Sequence, residues 1–242
     1  MRTALCISGQ PRFLEKGFAC INKNILQVLH PDVFIHSWYN PTNQIHFNND
    51  KDPGHQRVGL HIKIKELYKP TRGIIEHQRL NLSHRPIDQY KANPKAPPEI
   101  QFSMFYSMKK AIELKMAYEK ENNIIYDCVV RTRFDGGILA PLNIYGKYPL
   151  DRLYFPDVLQ KPDGEGAVCD WLNFGESKII DEISKIYNLL DQYVQADITL
   201  CGENMITFHM SINGIGVEGI PLSFFLIRDI DFNDRSWCGR YW

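Results

Sequence analysis

Short apolar runs alternate with helix-like segments along the chain. Thr3 to Ser8 (TALCIS) is a brief apolar run, and Phe13 to Leu29 follows it with apolar side chains at helical spacing. A second apolar run, DVFIHSW, starts at Asp32. The order strand, helix, strand is typical of a parallel sheet covered by helices, so the pattern predicts an α/β fold.

The chain becomes polar between residues 40 and 98, where Asn, His, Pro and Lys are frequent. We interpret this stretch as a polar insertion in a single domain spanning residues 1–242. It contains one short helix candidate, HIKIKELY, and one short strand candidate, GIIE.

The second half continues the alternation. The clearest helix runs from Glu99 to Asn122 and leads into the apolar strand YDCVV. Further helices are predicted from Ser177 to Val194 and in ENMITFHMSIN, and strands in RLYFPDV, GIGVEGI and SFFLIRD. Residues 231–242 form a polar tail that is rich in aromatic side chains.

Composition narrows the class of protein. With 242 residues, 44% hydrophobic and 23% charged, the chain is long enough to bury a substantial core. Its 28 basic and 28 acidic side chains cancel, so no overall field favours nucleic acid or an anionic membrane. The first apolar run is too short for a signal peptide or a transmembrane segment, which favours a cytoplasmic protein. Six scattered cysteines without a CxxC pair indicate neither a zinc site nor a disulfide framework.

Three apolar strands end in polar or charged residues. The first runs into Ser8-Gly9-Gln10-Pro11-Arg12, the second into His36-Ser37-Trp38, and the third into Arg131-Thr132-Arg133-Phe134-Asp135. Ligands of open parallel sheets bind at the carboxyl ends of the strands, so these residues are expected to converge. Arginine forks suit phosphate oxygens, and a carboxylate at a strand end suits a divalent metal that bridges them. The pattern therefore favours a site for a phosphorylated nucleotide.

Each of these residues also has a structural interpretation. An arginine at a strand end is more often a surface or ion-paired residue than a ligand of phosphate, and this holds for Arg12 and Arg131 taken singly. Asp135 precedes Gly136 and Gly137, and Asp-Gly is common in turns. The functional interpretation depends on the predicted convergence of the three strands.

Five segments in order carry a family resemblance: ALCISGQPR, DVFIHSW, YEKENNIIYDCVVRTRFD, DWLNFGESKIIDEISKIY and ENMITFHMSINGIGV. Together they resemble GT-A-type glycosyltransferases and related proteins of bacterial surface-polysaccharide loci and large viruses. The resemblance spans nearly the whole chain, and residues 40–98 match least. It implies a GT-A-like fold, with a Rossmann-like sheet, and transfer of a sugar from a nucleotide diphosphate donor to a glycan or glycolipid acceptor.

The resemblance also assigns the donor site. Ser8, Gln10 and Arg12 would contact the nucleotide, and RTRFD takes the place of the DxD motif that holds the metal and the diphosphate. Here Arg133 replaces the first acidic residue and leaves Asp135 alone. Either Asp135 binds the metal with help from elsewhere, or Arg131 and Arg133 neutralise the diphosphate without a metal. The expectation leans slightly to Mn or Mg.

Two further carboxylates and one histidine follow from the same resemblance. Asp170 would lie beside the donor sugar and Glu203 would face the acceptor, one of them acting as general base if the reaction inverts the anomeric centre. Their structural alternatives are a turn or capping role for Asp170 and a dipole-stabilised helix start for Glu203. His209 could complete a metal shell, although a histidine between apolar residues is more often part of a core.

Two rival functions have a basis in the sequence. The incomplete DxD motif is consistent with a non-catalytic protein that binds a sugar nucleotide or glycan in a degenerate GT-A site. A metal-dependent phosphoesterase is a weaker alternative, because such enzymes cluster several His and Asp ligands and the eight histidines here are not grouped.

Overall fold

A computed structural model of the chain describes residues 1–39, 59–77, 82, 90, 97–157 and 167–227. The strands are β1 (Thr3–Gly9), β2 (Asp32–Tyr39), β3 (Arg72–His77), β4 (Cys128–Arg133), β5 (Gly136–Ile138), β6 (Leu153–Pro156), β7 (Leu172–Gly175), β8 (Val217–Ile220) and β9 (Phe224–Leu226). The helices are α1 (Leu14–Ile21), α2 (Gln27–Leu29), α3 (Leu60–Tyr68), α4 (Pro98–Asn122), α5 (Ser177–Gln195) and α6 (Gly202–Ile212). A π-helical turn at Asn22–Leu26 joins α1 to α2.

Seven strands form one mostly parallel sheet, in the order β3-β2-β1-β4-β7-β6-β8. Strands β3, β2, β1 and β4 are mutually parallel, and β6 is parallel to β8. Strand β7 runs antiparallel to both of its neighbours, β4 and β6. The short strands β5 and β9 pair separately. The fold is therefore α/β with helices on both faces of the sheet, as the alternating pattern predicts.

Alternation along the strands divides the core into two layers. Ala4 and Cys6 of β1 pack into the layer that contains α4, α5 and α6, whereas Leu5 and Ile7 pack into the layer that contains α1 and α3. Both sets are fully buried, which explains why β1 reads as a continuous apolar run rather than an alternating one.

Helix α1 approaches the turn between β4 and β5 very closely. A Cβ atom at Gly17 would overlap the backbone carbonyl oxygen of Phe134. Gly17 therefore lets the helix lie directly on the turn that contains Asp135.

Helices α4 and α5 are joined by a buried ionic cluster. Lys115 has no exposed side-chain surface, and its Nζ lies 2.8 Å from Glu119 Oε2 and 2.5 Å from both Asp181 Oδ1 and Ser177 Oγ. A buried ammonium group needs such partners, because an unpaired charge in the core is strongly destabilising.

Most predicted elements are present, with small shifts at their ends. The candidate helix HIKIKELY corresponds to α3, and the candidate strand GIIE lies in β3, which pairs with β2. The helix predicted from Phe13 to Leu29 is interrupted by the π-helical turn. The rest of the predicted insertion at 40–98, apart from residues 59–77, 82, 90, 97 and 98, and the tail at 231–242 lie outside the described residues.

Two strands of the structure, β5 and β7, are not predicted by the sequence pattern. Cys6, Cys128 and Cys169 are buried, whereas Cys201 is only half-buried. None of the described helices is both long enough and apolar enough to cross a membrane.

Candidate functional site

The ends of three parallel strands meet at one edge of the sheet. Strand β1 lies between β2 and β4, and Ser8 is in register with His36 on one side and with Arg133 on the other. The predicted convergence of the three polar strand ends is thus confirmed. We call this region the carboxyl edge.

The segment that follows β1 turns sharply at Gly9, whose φ of +110° favours glycine. Beyond the turn, the Arg12 guanidinium donates to Gln10 Oε1 from Nε at 2.9 Å and from Nη2 at 2.6 Å. Arg12 and Ser8 are buried, at 8% and 3% exposure. The three residues predicted to contact a nucleotide therefore lie together on a compact turn.

Arg131 is completely buried. Its Nε donates to Asn173 Oδ1 at 2.9 Å and its Nη2 donates to the backbone carbonyl of Asp170 and to Asn173 Oδ1. Burial lowers the pKa of the guanidinium to about 10, which still leaves it charged at neutral pH. Arg131 thus ties β4 to the start of β7 from inside the protein.

Arg133 and Asp135 bind each other. The guanidinium donates from Nε to Asp135 Oδ1 and from Nη2 to Oδ2, both at 2.8 Å. Asp135 is 1% exposed, while the Arg133 side chain is 23% exposed. This two-point pairing engages both carboxylate oxygens of Asp135.

The antiparallel direction of β7 brings Asp170 to the same edge. Thr132, near the end of β4, is in register with Leu172, the first residue of β7, so the residues just before β7 lie at the carboxyl edge. Asp170 is 6% exposed, and a Cβ atom at Gly202 would lie 2.5 Å from its Oδ2. The carboxylate therefore sits against the first turn of α6, where the helix dipole favours negative charge.

Glu203 lies beside Asp170, in the first turn of α6. Burial, and after it the negative charge of Asp170, raise the pKa of Glu203 to about 7, although Arg133 acts in the opposite direction. Burial also raises the pKa of Asp170, against the lowering effect of Arg133 and Arg131. Glu203 is thus able to hold or release a proton near neutral pH.

The charges of the groups around the Asp170–Glu203 pair nearly balance. Fully ionised, Arg131 and Arg133 together with Asp135, Asp170 and Glu203 carry a net charge of −1, and one proton on Glu203 brings the sum to zero. In addition, Asp170 Oδ1 and Arg131 Nη1 are buried and have no hydrogen-bond partner among the described residues. One unused acceptor and one unused donor are unusual in a folded protein and mark this region as polar and under-satisfied.

His209 lies elsewhere, in the interface between α6 and α5. Its Nδ1 is 2.6 Å from the hydroxyl of Tyr193, and its Nε2 is 3.5 Å from Glu182 Oε2. Within the described ranges, no group of three or more His, Cys, Asp or Glu side chains is arranged to hold a metal ion. With both Asp135 oxygens bound to Arg133, the residues predicted as metal ligands do not form a donor set, so a metal site here stays a prediction.

A polar side chain of α4, Ser107, also contacts the carboxyl edge. Ser107 Oγ accepts a hydrogen bond from the Gly9 backbone N–H at 2.7 Å and lies 2.7 Å from His36 Nδ1. On the other side of the imidazole, His36 Nε2 is 2.9 Å from Glu76 Oε1. His36 and Ser107 are both fully buried.

A surface depression of about 610 Å³ lies away from these groups. It is bordered by α1, α3 and the first residues of β2, including Phe18, Leu26, Asp32 and Tyr68. Because this is the edge where β2 begins, the depression is separate from the carboxyl edge. It brings together none of the predicted site residues.

Comparison with protein-family models and with curated proteins gives no match for this chain. The resemblance to GT-A-type enzymes therefore depends on the ordered motifs alone.

Several residues of the site carry no sequence signal that singles them out. Asn173 lies inside a four-residue strand, and Ser107 and Gly202 look like ordinary helix residues. The contacts of Asn173 become visible only from the register of β7, and those of Ser107 and Gly202 only from the approach of α4 and α6 to the sheet. The apolar run of β2, by contrast, already marks His36 as the first polar residue after Val33-Phe34-Ile35.

Proposed function

We propose that the protein is a glycosyltransferase that moves a sugar from a nucleotide diphosphate donor to a glycan or glycolipid acceptor. The observation that supports it most is the meeting, at one sheet edge, of the Ser8–Arg12 turn, the Arg133–Asp135 pair and the Asp170–Glu203 carboxyl pair. A GT-A-like identity of the mostly parallel sheet is part of this proposal.

In this proposal the nucleotide lies on the turn after β1, and Arg133 turns from Asp135 to the diphosphate. Arg133 is suited to this role because it is the more exposed partner of its pair. Arg131 is instead a positioning residue, since it is buried and holds the backbone of Asp170. Stabilising the charge of the departing diphosphate would supply much of the catalysis.

Glu203 is the better candidate for the general base. Its pKa near 7 keeps a substantial fraction ionised at neutral pH, and an ionised carboxylate can take the proton of an acceptor hydroxyl. Asp170 is more deeply buried, and its negative charge helps to raise the pKa of Glu203. Asp170 thus tunes the base and lies beside the donor sugar.

The alternative, a protein that binds sugar nucleotides without turning them over, has one supporting observation, the neutralisation of Asp135 by Arg133. Slow hydrolysis of the donor separates the two functions. An active transferase transfers some sugar to water, whereas a binding protein leaves the donor intact.

A thermal-shift screen tests the proposal. The purified protein is heated with UDP, GDP, CDP, CMP and their sugars, each with and without Mn²⁺, because a ligand of the native state raises the apparent stability. We expect one nucleotide class to raise the melting temperature, with a smaller shift in Arg133→Ala. The absence of a shift with every nucleotide would refute the proposed function.

A further inference from the structure

The turn at the end of β1 is fixed by a hydrogen bond to a different element, helix α4. The backbone N–H of Gly9 donates to the hydroxyl of Ser107, which lies on α4 and is separated from Gly9 by 98 positions in the sequence. Gly9 has a positive φ, and its partly buried N–H would be costly to leave without an acceptor.

The Ser107 hydroxyl can donate only one hydrogen bond, because it has a single proton. Its oxygen accepts from Gly9, and its single proton can go either to His36 Nδ1 at 2.7 Å or to the His36 carbonyl oxygen at 3.3 Å. The choice depends on the protonation state of the imidazole, because Glu76 is within 2.9 Å of the other ring nitrogen.

Each protonation state gives a complete arrangement. In neutral His36, Nε2–H donates to Glu76 and Nδ1 accepts the Ser107 proton. In the imidazolium form, Nδ1–H donates to Ser107, whose proton turns to the His36 carbonyl. A hydroxyl that donates to an imidazole is a stronger acceptor for Gly9 than one that already accepts from a cation.

The surroundings favour the neutral form at pH 7. Burial lowers the pKa of His36 below its ordinary value, Lys110 of α4 acts in the same direction, and Glu76 of β3 opposes both. Tyr106 of α4 also packs against the ring, and it hydrogen-bonds Glu76.

We propose that His36 and Ser107 are positioning residues that hold the Gly9 turn, and with it the Ser8–Arg12 segment, in the geometry that receives the nucleotide. The role in binding rests on the proposed function, whereas the hold on Gly9 does not. The ligand class is the nucleotide of the donor.

The hold on Gly9 is tested by amide hydrogen exchange, followed by NMR. In Ser107→Ala the Gly9 amide should exchange about tenfold faster or more, because it loses its acceptor. The matched control is Ser184→Ala, which removes another buried helical serine; within the described part of the chain its hydroxyl bonds locally, to the carbonyl of Asp181 at 2.7 Å. Equal Gly9 exchange in Ser107→Ala and wild type would overturn the proposal.

Glu76→Gln gives a second test that does not depend on the folding of Ser107→Ala, because Glu76 is 39% exposed. In wild type the chemical shift of the Gly9 amide should titrate with the His36 ring. In Glu76→Gln the midpoint should move to lower pH, since the group that raises the pKa of His36 is lost. A chemical shift of the Gly9 amide that does not follow the titration of His36 would contradict the coupling between the two residues. A merely structural contact would not produce such a coupled titration.

Nucleotide affinity distinguishes a failure of the positioning role from a failure of the proposed function. With the nucleotide class that stabilises wild type, the Kd of Ser107→Ala should rise about tenfold and that of Ser184→Ala should stay unchanged. Equal affinity in all three proteins would refute the positioning role in binding. A wild type that binds none of the nucleotides would instead refute the proposed function, while Gly9 exchange would still decide how the turn is held.

Discussion

Replacing Glu203 by glutamine should stabilise the protein and, if the proposed function holds, abolish donor hydrolysis. The ordinary pKa of 4.5 rises to about 7 in the folded protein. The folded state therefore binds this proton more tightly than the unfolded state does, and stability falls as pH rises from about 4.5 to 7. Above pH 7 the full cost of the buried charge is present, and the change in pKa corresponds to roughly 3 kcal/mol.

Glutamine keeps the size of the side chain and removes its charge. Urea unfolding of Glu203→Gln should therefore give a free energy of unfolding about 3 kcal/mol above wild type at pH 8, and a gain of only about 1 kcal/mol at pH 5. Donor hydrolysis should be lost at both pH values, because an amide cannot accept the proton. A stabilising change at a functional residue is common, since active sites retain groups that the fold alone would not favour.

Glu176→Gln is the matched control, because Glu176 also lies at the start of a helix, immediately before α5, and pairs with Lys178 outside the carboxyl edge. The reasoning is refuted if Glu203→Gln gains no more stability at pH 8 than at pH 5. It is refuted equally if the gain matches that of Glu176→Gln. Retained hydrolysis in Glu203→Gln would leave the burial argument intact and remove Glu203 as the base.

Three further predictions concern the neighbouring contacts. Asp135→Asn should raise the metal-free affinity for the preferred nucleotide diphosphate about fivefold in calorimetry, because it removes the negative charge that pairs with Arg133; a loss of affinity would instead point to a metal at Asp135. Arg131→Ala should lower the free energy of unfolding in urea by about 3 kcal/mol or more, since it breaks a buried polar network, and a change below about 1 kcal/mol would contradict that role. Gly17→Ala should lower stability by about 2 kcal/mol or more in the same assay, because the added methyl group meets the Phe134 carbonyl, and a neutral effect would show that α1 can shift.

The carboxyl edge was predictable because parallel strands end on the same side. Apolar runs with polar ends locate Ser8, His36 and Arg133, and the helices between them require parallel neighbours. No such rule places Asp170, because its position depends on a four-residue strand that runs in the opposite direction. A short strand containing Asn173 has too few residues to show a periodic pattern.

The roles of the two arginines show a second limit of sequence reasoning. Arg131 and Arg133 are two positions apart on one strand, so they share a face and look equivalent in the sequence. Their depth differs, because Arg131 is enclosed by the start of β7 while Arg133 lies at the strand end and stays partly exposed. The partner of each arginine is set by tertiary packing, which the local sequence does not contain.

The position of β1 in the middle of the sheet has a consequence for how the chain is made. One edge of β1 pairs with β2, which follows soon after, but its other edge pairs with β4, about 120 residues later. At a synthesis rate of ~5–20 residues per second, the edge facing β4 waits for roughly 6–25 s. During that time one edge of a largely apolar strand presents unpaired backbone groups, which can pair with other chains. Association with chaperones on the ribosome should therefore be strongest before residue 133 emerges.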